Sequence, residues 1–223
     1  MASSGTTSFN ITIDEVIEEA YERCGVRTNA GNDIRSARRS LNLLFSEWGN
    51  RGINLWKVKS KTETLVNGSI TYNTPSDCND VLEAVVTTTG GTQQSLTKVS
   101  RSEYIAIPNK SATGTPSQYY VDRQITPTIS LYLAPDTSAV TNIFYYYLAR
   151  IEDVGAYTNT SDMPFRFFPC MVSGLAFYLS QKFAPDRIQA LKLLYEDELK
   201  RALEEDGQRT SVYISPNVYY PQG

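Results

Sequence analysis

The first fifty residues carry two runs of apolar positions at helical spacing. Thr12 and Glu15 have the spacing of a capping box, so the sequence predicts a helix that begins at about Ile13 and ends at Gly25. A second helix is predicted after a short turn at residues 29–32. The apolar stripes are Val16, Ile17, Ala20 and Cys24 in the first helix, and Ile34, Ala37, Leu41, Leu44, Phe45 and Trp48 in the second.

Residues 162–207 predict a second pair of helices, interrupted at Ala184 and Pro185 and ended by Gly207. Their stripes are Phe168, Val172, Leu175, Leu179 and Phe183, and then Ile188, Leu191, Tyr195, Leu199 and Ala202. Two helices cannot cover two stripes by themselves, so the helices at both ends of the chain are expected to share one core. Gly174 and Ala176 are expected where two helix backbones approach closely.

Between the helix pairs the apolar pattern changes to an alternation of period two, which begins at Trp56 and predicts strands. Asn67 and Gly68, between residues 65–66 and 70–72, predict a tight hairpin because such a turn needs positive φ at its central residues. Further strands are predicted at residues 81–87, 93–99, 118–122, 128–133 and 140–148.

A short helical turn is expected to interrupt the strand region. Ser100 and Glu103 form another capping box, which predicts a turn over residues 101–107, followed by an exposed loop at 109–117. The predicted fold class is α+β, a four-helix bundle with an inserted antiparallel β-sandwich or barrel. The predicted boundaries are 1–11 for a flexible N-terminus, 12–54 and 161–207 for the bundle, 55–160 for the β domain and 208–223 for an extended C-terminal docking arm.

The composition removes most of the chemistry on which enzymes depend. The formal charge is -3, histidine is absent, and the three cysteines lack the spacing of a metal site or a disulfide framework. Asp77 with Asp80, and Asp153 with Asp162, lie in turn-like sequence that favours aspartate for backbone reasons. We therefore expect no catalytic residue, no cofactor and no metal. With no long apolar run and no signal peptide, the protein is expected to act without crossing a membrane.

The exposed faces of the two N-terminal helices are expected to differ in charge. The first carries Asp14, Glu15, Glu18, Glu19 and Glu22, and the second carries Arg35, Arg38 and Arg39 near its start. We favour the plainer interpretation, solvated helix faces with some ion pairing. The alternative is a basic face turned toward DNA or toward an acidic neighbour.

The aromatic run from Phe144 to Tyr147 also allows two interpretations. Aromatic side chains can form a stacking platform for single-stranded bases. We favour a strand with one aromatic face in the core and the other in a protein contact, because no Arg or Lys is interleaved in the run.

The segment after Gly207 is too short to fold alone, yet its apolar and aromatic content is unlike that of a disordered tail. Pro216 and Pro221 oppose a helix, so an extended arm is expected. We favour docking on a partner over docking on the body of the same chain. The residues expected to make this contact are Val212, Tyr213, Ile214, Val218, Tyr219 and Tyr220.

The order of several strings resembles that of the head-to-tail adaptor proteins of short-tailed bacteriophages. This is the family of the tail accessory factor that stabilises packaged DNA, and of the tail tubular proteins. The strings are ARRSLNLLFSEWGNRGINLW, then SEYIAIP with TGTPSQYYVDR, then PTISLYLAPD, and finally MPFRFFPCMVSGLAFYLSQKFAPDRIQALKLLYEDELKRA. Together they cover most of the chain.

The resemblance implies a structural virion protein at the head-tail junction, made in the host cytoplasm and without catalytic activity. About twelve copies would form a closed ring under the portal protein, close the channel after DNA packaging and receive a tail hub or nozzle. The arm would dock on the portal, and Arg35, Arg38 and Arg39 would contact packaged DNA if they face the channel. A tail-fibre or receptor-binding module that uses the β domain is the alternative; an enzyme is less favoured.

Overall fold

The computed structural model describes Gly5 and residues 9–27, 31–51, 55–156 and 158–206. Its α-helices are α1 (Ile13–Cys24), α2 (Gly31–Asn50), α3 (Arg101–Ala106), α4 (Phe168–Phe183) and α5 (Ile188–Asp206). Three short 3₁₀ turns lie at Leu55–Lys57, Phe165–Phe167 and Pro185–Arg187. The last of these confirms the predicted break between the C-terminal helices, because Pro185 cannot continue α4.

α1 begins and ends where local sequence chemistry predicts. The backbone N–H and the hydroxyl of Thr12 both donate to the Glu15 carboxylate at 2.7 Å. At the other end Gly25 adopts a φ of 72°, and its N–H donates to the Glu22 carbonyl at 2.8 Å. All four residues of the predicted stripe are buried, which confirms the prediction for this helix.

α4 is the central helix of the helical layer. It packs against α1, α2 and α5, and it is buried around most of its circumference rather than along one stripe. The single-stripe prediction is wrong at the two ends: Phe168 is only half-buried, and Phe183 is 38% exposed beside the ring of Tyr21. Residues from all four long helices form one apolar cluster.

Two close contacts hold α2, α4 and α5 together. A Cβ added at Gly174 would lie 2.9 Å from side-chain atoms of Leu44 and of Tyr195, so this glycine packs tightly, against side chains rather than against the predicted second backbone. The indole N–H of Trp48 donates to the Tyr195 hydroxyl at 2.8 Å, and both side chains are buried. This hydrogen bond satisfies two polar atoms inside an otherwise apolar layer.

The strand region contains ten strands in three sheets. The strands are β1 (Val58–Thr64), β2 (Thr71–Asn73), β3 (Cys78–Thr88), β4 (Gln93–Ser95), β5 (Thr97–Lys98), β6 (Thr113–Gly114), β7 (Gln118–Asp122), β8 (Thr128–Tyr132), β9 (Ala134–Pro135) and β10 (Val140–Ala149). One sheet has the order β1-β10-β3-β4 and another has β2-β8-β7-β5, while β6 and β9 pair separately. Pairing is antiparallel except for β5 with β7 and β6 with β9.

The two four-stranded sheets share one apolar cluster, distinct from the helical one. β10 shows how the sequence alternation produces it, because Ile143, Tyr145 and Tyr147 are buried while Tyr146 is 45% exposed. The fold is therefore mixed α+β, with one apolar cluster formed mainly by helices and another formed by strands.

The hairpin predicted at Asn67 and Gly68 is wrong. The two residues do form a turn, in which Gly68 has a φ of 72° and the Ser69 N–H donates to the Val66 carbonyl at 3.0 Å. However, β1 pairs with β10 whereas β2 pairs with β8, so the turn carries the chain from one sheet to the other. Long-range partners override the local hairpin signal at this position.

Two further strand-region predictions need correction. The single strand predicted at residues 93–99 is divided at Leu96, so that β4 pairs with β3 and β5 pairs with β7. The loop predicted at 109–117 contains β6, which pairs with β9. The helical turn is confirmed as α3, where the Glu103 N–H donates to the Ser100 hydroxyl at 3.2 Å.

The segments that join the helices to the sheets pack on the helical cluster. Trp56, predicted as the start of a strand, lies instead in a 3₁₀ turn with its ring 4.5 Å from that of Phe167. Its neighbour Lys57 is almost fully buried and forms an ion pair with Asp162. Val154 is also buried, so both connections between the two parts of the chain are anchored.

Candidate interaction surfaces

The predicted arm at residues 208–223, with its six contact residues, lies outside the described residues. The description ends at Asp206, whose carboxylate is 5% exposed and forms an ion pair with the Arg166 guanidinium. This contact fixes the end of α5 beside the 3₁₀ turn Phe165–Phe167. The described part of the chain therefore ends at a defined place on the helical layer.

The three arginines predicted as a basic face do not share one environment. Arg38 is half-buried, and its Nε donates to the Val154 carbonyl at 3.0 Å, so it fastens a connecting segment to α2. Arg35 and Arg39, one helical turn apart, are exposed. Neither guanidinium has a hydrogen bond or an ion pair among the described residues. The predicted DNA contact stays a prediction, and the geometry restricts it to Arg35 and Arg39.

Lys182 of α4 adds a third positive charge to this surface. Its ammonium donates to the Ser40 hydroxyl at 2.7 Å and to the Ser36 hydroxyl at 3.2 Å. Burial, and then the positive charge of Arg39, lower the pKa of Lys182. Sequence reasoning missed this residue because the contact joins positions far apart in the chain. We call Arg35, Arg39 and Lys182 the basic cluster.

The acidic face of α1 is only partly neutralised within the chain. Glu15 accepts the Thr12 hydrogen bonds, which lower the pKa of its carboxyl, and Glu19 accepts a hydrogen bond from Arg23 at 3.0 Å. Glu18 and Glu22 are exposed, and their carboxylates have no ion-pair or hydrogen-bond partner among the described residues. We call Glu18 and Glu22 the acidic pair.

The outer face of the sheet β1-β10-β3-β4 carries exposed apolar side chains. Phe144 and Tyr146 pack edge to face, with ring centroids 5.1 Å apart. Tyr146 is 45% exposed, and Leu82 of β3 is 43% exposed. The strand neighbours opposite Tyr146 are Ser60 and Glu83, so no cation is paired with it for a nucleic-acid contact. The arrangement favours the protein-contact interpretation of this run.

Three of the four carboxylates considered for catalysis are paired with lysines. Asp77 accepts a hydrogen bond from the Lys59 ammonium at 2.9 Å; burial would raise the pKa of this carboxyl, but Lys59 lowers it on balance. Asp80 accepts one from Lys98 at 2.8 Å. Asp162 forms an ion pair with the buried Lys57. Asp77, Asp80 and Asp162 therefore each take part in a structural ion pair.

The three cysteines are buried and unpaired, at Cys24, Cys78 and Cys170. Burial raises the pKa of Cys170 to about 12, which disfavours the reactive thiolate. Within the described ranges no group of three or more potential ligands is arranged to hold a metal ion. No helix in that part of the chain is long and apolar enough to cross a bilayer.

The chain matches a known protein family over most of its length. A sequence profile of the SU10 adaptor protein family matches residues 11–219, which include both helix pairs, the whole strand region and most of the arm. Among proteins of curated function, none matches the chain.

Proposed function

Because the chain belongs to the SU10 adaptor protein family and is thus a structural phage adaptor, we propose that it joins the head to the tail of a short-tailed phage. In this proposal the helices form a four-helix bundle and the inserted strands form a sandwich, and about twelve copies close into a ring under the portal. The ring closes the channel after DNA packaging and provides the attachment site for a tail hub or nozzle.

The observation that carries the proposal is the match over almost the whole chain, including residues 208–219 of the arm. Two features of the described residues support it. The α5 terminus is anchored by the pair of Arg166 with Asp206, so an arm that starts there has a fixed origin. In addition, exposed side chains of opposite charge on α1 and α2 have no partner among the described residues, so they are available for a contact between copies.

The proposal assigns portal docking to the arm. Deletion from Thr210 onward should leave the circular dichroism spectrum and melting temperature unchanged, because the described cores lie outside the deleted segment. The truncated chain should fail to bind purified portal in a pull-down, since an extended apolar segment supplies the contact. Portal binding equal to that of the full chain would contradict the assignment.

A second candidate is a tail-fibre or receptor-binding module. It is favoured by the exposed apolar face around Tyr146 and Leu82, which has little charge. Native mass spectrometry of the chain mixed with portal distinguishes the two candidates. A complex with one ring of chains per portal supports the adaptor, whereas a stable trimer that does not bind the portal supports the fibre module.

A further inference from the structure

The acidic pair and the basic cluster have matching geometry. Glu18 and Glu22 are four residues apart on α1, and Arg35 and Arg39 are four residues apart on α2. Four residues rise about 6 Å along a helix, so both pairs present their charges at the same separation. All four side chains are exposed and no ion pair joins them within one copy, so both surfaces are available to another molecule.

The acidic pair stands out because the carboxylates of α5, the other acidic helix, have partners within the chain. Glu205 of α5 also has an interaction partner. The remaining α5 pairs are Glu196 with Arg51, Asp197 with Arg201, Glu198 with Arg23, Glu204 with Lys200, and Asp206 with Arg166. An external cation would have to compete with these contacts on α5, whereas the acidic pair on α1 is open to one.

The basic cluster is correspondingly short of negative charge. Lys182 is held beside Arg39 by the hydroxyls of Ser36 and Ser40, which neutralise neither cation. An approaching carboxylate would relieve the repulsion between these like charges. Leu43, one turn beyond Arg39 on the same exposed side of α2, is 59% exposed and offers an apolar contact beside the charges.

We propose that the acidic pair of one copy docks on the basic cluster of the next copy, with α1 lying along α2 of its neighbour. This contact uses two different surfaces, so it is heterologous and can repeat around a closed ring. A DNA contact at the basic cluster is less favoured because it would leave Glu18 and Glu22 without a partner. The inference rests on the proposed ring and assigns its lateral contact.

The test is charge reversal on each side of the contact, measured with portal by native mass spectrometry. Glu18→Lys with Glu22→Lys should prevent complete rings and weaken lateral association about a hundredfold, because like charges then meet. Arg35→Glu with Arg39→Glu should do the same. An equimolar mixture of the two variants should restore rings of alternating chains, since each altered surface then meets a complementary one.

A matched control separates this contact from a general effect of charge. Lys192→Glu with Lys200→Glu, on the exposed side of α5, makes the same change in net charge as Arg35→Glu with Arg39→Glu, and this variant should assemble as wild type does. Circular dichroism melting curves verify that every variant folds. The rings should also weaken as salt rises, because exposed ion pairs are screened.

The outcomes distinguish this inference from the proposed function. Wild-type chain that binds no portal would overturn the adaptor proposal itself. If either charge-reversed variant forms rings as the wild type does, only the lateral contact is overturned. The same holds if the mixture of the two variants fails to restore rings. The variant Arg35→Glu with Arg39→Glu could also form rings while phage particles that carry it lose packaged DNA. This result would overturn the lateral contact in favour of the DNA contact.

Discussion

Tyr195 contributes a single hydroxyl to an apolar layer, and that hydroxyl accepts the buried N–H of Trp48. Tyr195→Phe keeps the ring and its stacking on Phe177, but it leaves the indole N–H without a partner. We expect the free energy of unfolding to fall by about 1–3 kcal/mol, the cost of an unsatisfied buried donor. Urea unfolding followed by circular dichroism measures this change.

Tyr178→Phe is the matched control. The Tyr178 hydroxyl donates to Glu47 at 2.9 Å in a partly buried position, and Glu47 keeps its ion pair with Arg51 when that hydroxyl is removed. We therefore expect a smaller loss, below about 1 kcal/mol. Equal losses in the two variants would show that the Trp48 hydrogen bond stabilises the fold no more than the Tyr178 hydrogen bond does.

Residue roles were predictable only where they depend on near neighbours. The helical spacing correctly placed Tyr195 in the core, but the partner of its hydroxyl lies 147 positions away. Arg38 and Arg39 are adjacent and look alike in the sequence, yet one bonds to a connecting segment and the other is exposed. Such differences arise from tertiary contacts, which a local pattern does not contain.

At the scale of the element, α4 depends on the small volume of Gly174. Gly174→Ala improves helix propensity by about 1 kcal/mol, but the added methyl group would overlap Leu44 and Tyr195. Overpacking outweighs this gain, so we expect a net loss of about 1–2 kcal/mol. Thermal and urea unfolding give the difference.

Gly49→Ala in α2 is the control for that substitution. Nothing lies within 4 Å of a Cβ built at Gly49, and its φ is not in the left-handed region. The same chemical change should therefore stabilise the protein, by up to about 1 kcal/mol. If both alanine variants stabilise, the close packing around Gly174 does not limit α4.

Elements with local signals were predicted well, and their pairing was not. Capping residues placed the start of α1 and α3, and periodicity placed all four long helices. The Asn67–Gly68 turn is real, but the strands beside it join different sheets. Strand pairing depends on burial against distant residues, so turn chemistry alone does not determine it.

At the scale of the whole molecule, stability should fall in alkali. Burial raises the pKa of Tyr21, Tyr119 and Cys170 to about 12. Since these groups ionise near pH 9–10 in the unfolded chain, the unfolded state loses protons first and stability declines as pH rises. We expect a loss of about 1 kcal/mol per buried tyrosine at pH 11, measured by urea unfolding at each pH.

A variant isolates the earliest part of that decline. Cys170→Ala removes one of three buried thiols, which ionise before the tyrosines in the unfolded chain, so the stability of this variant should change less between pH 9 and pH 10. Lys57 opposes the trend, because burial lowers its pKa and deprotonation then favours the folded state as pH rises. A wild-type profile that stays flat from pH 8 to pH 11 would contradict the prediction.

The candidate surfaces were predictable in outline. The sequence identified the acidic and basic faces as exposed runs of like charge on helices. It could not identify Glu18 and Glu22 as the unpaired members of the acidic face, or bring Lys182 beside Arg39, because both facts depend on packing between helices. The arm stays a prediction made from sequence, since its residues lie outside the described part of the chain.

The helical layer is completed late during synthesis. α1 and α2 leave the ribosome first, but α4, which covers their stripes, follows about 118 residues after Asn50. At ~5–20 residues per second, the stripes from Val16 to Trp48 stay uncovered for about 6–24 s. The strand region can fold during that interval, while the N-terminal helices depend on chaperones or on their own solubility to avoid aggregation. Because the helical layer is built from both ends of the sequence, the nascent chain is most prone to aggregation while its central part is being synthesised.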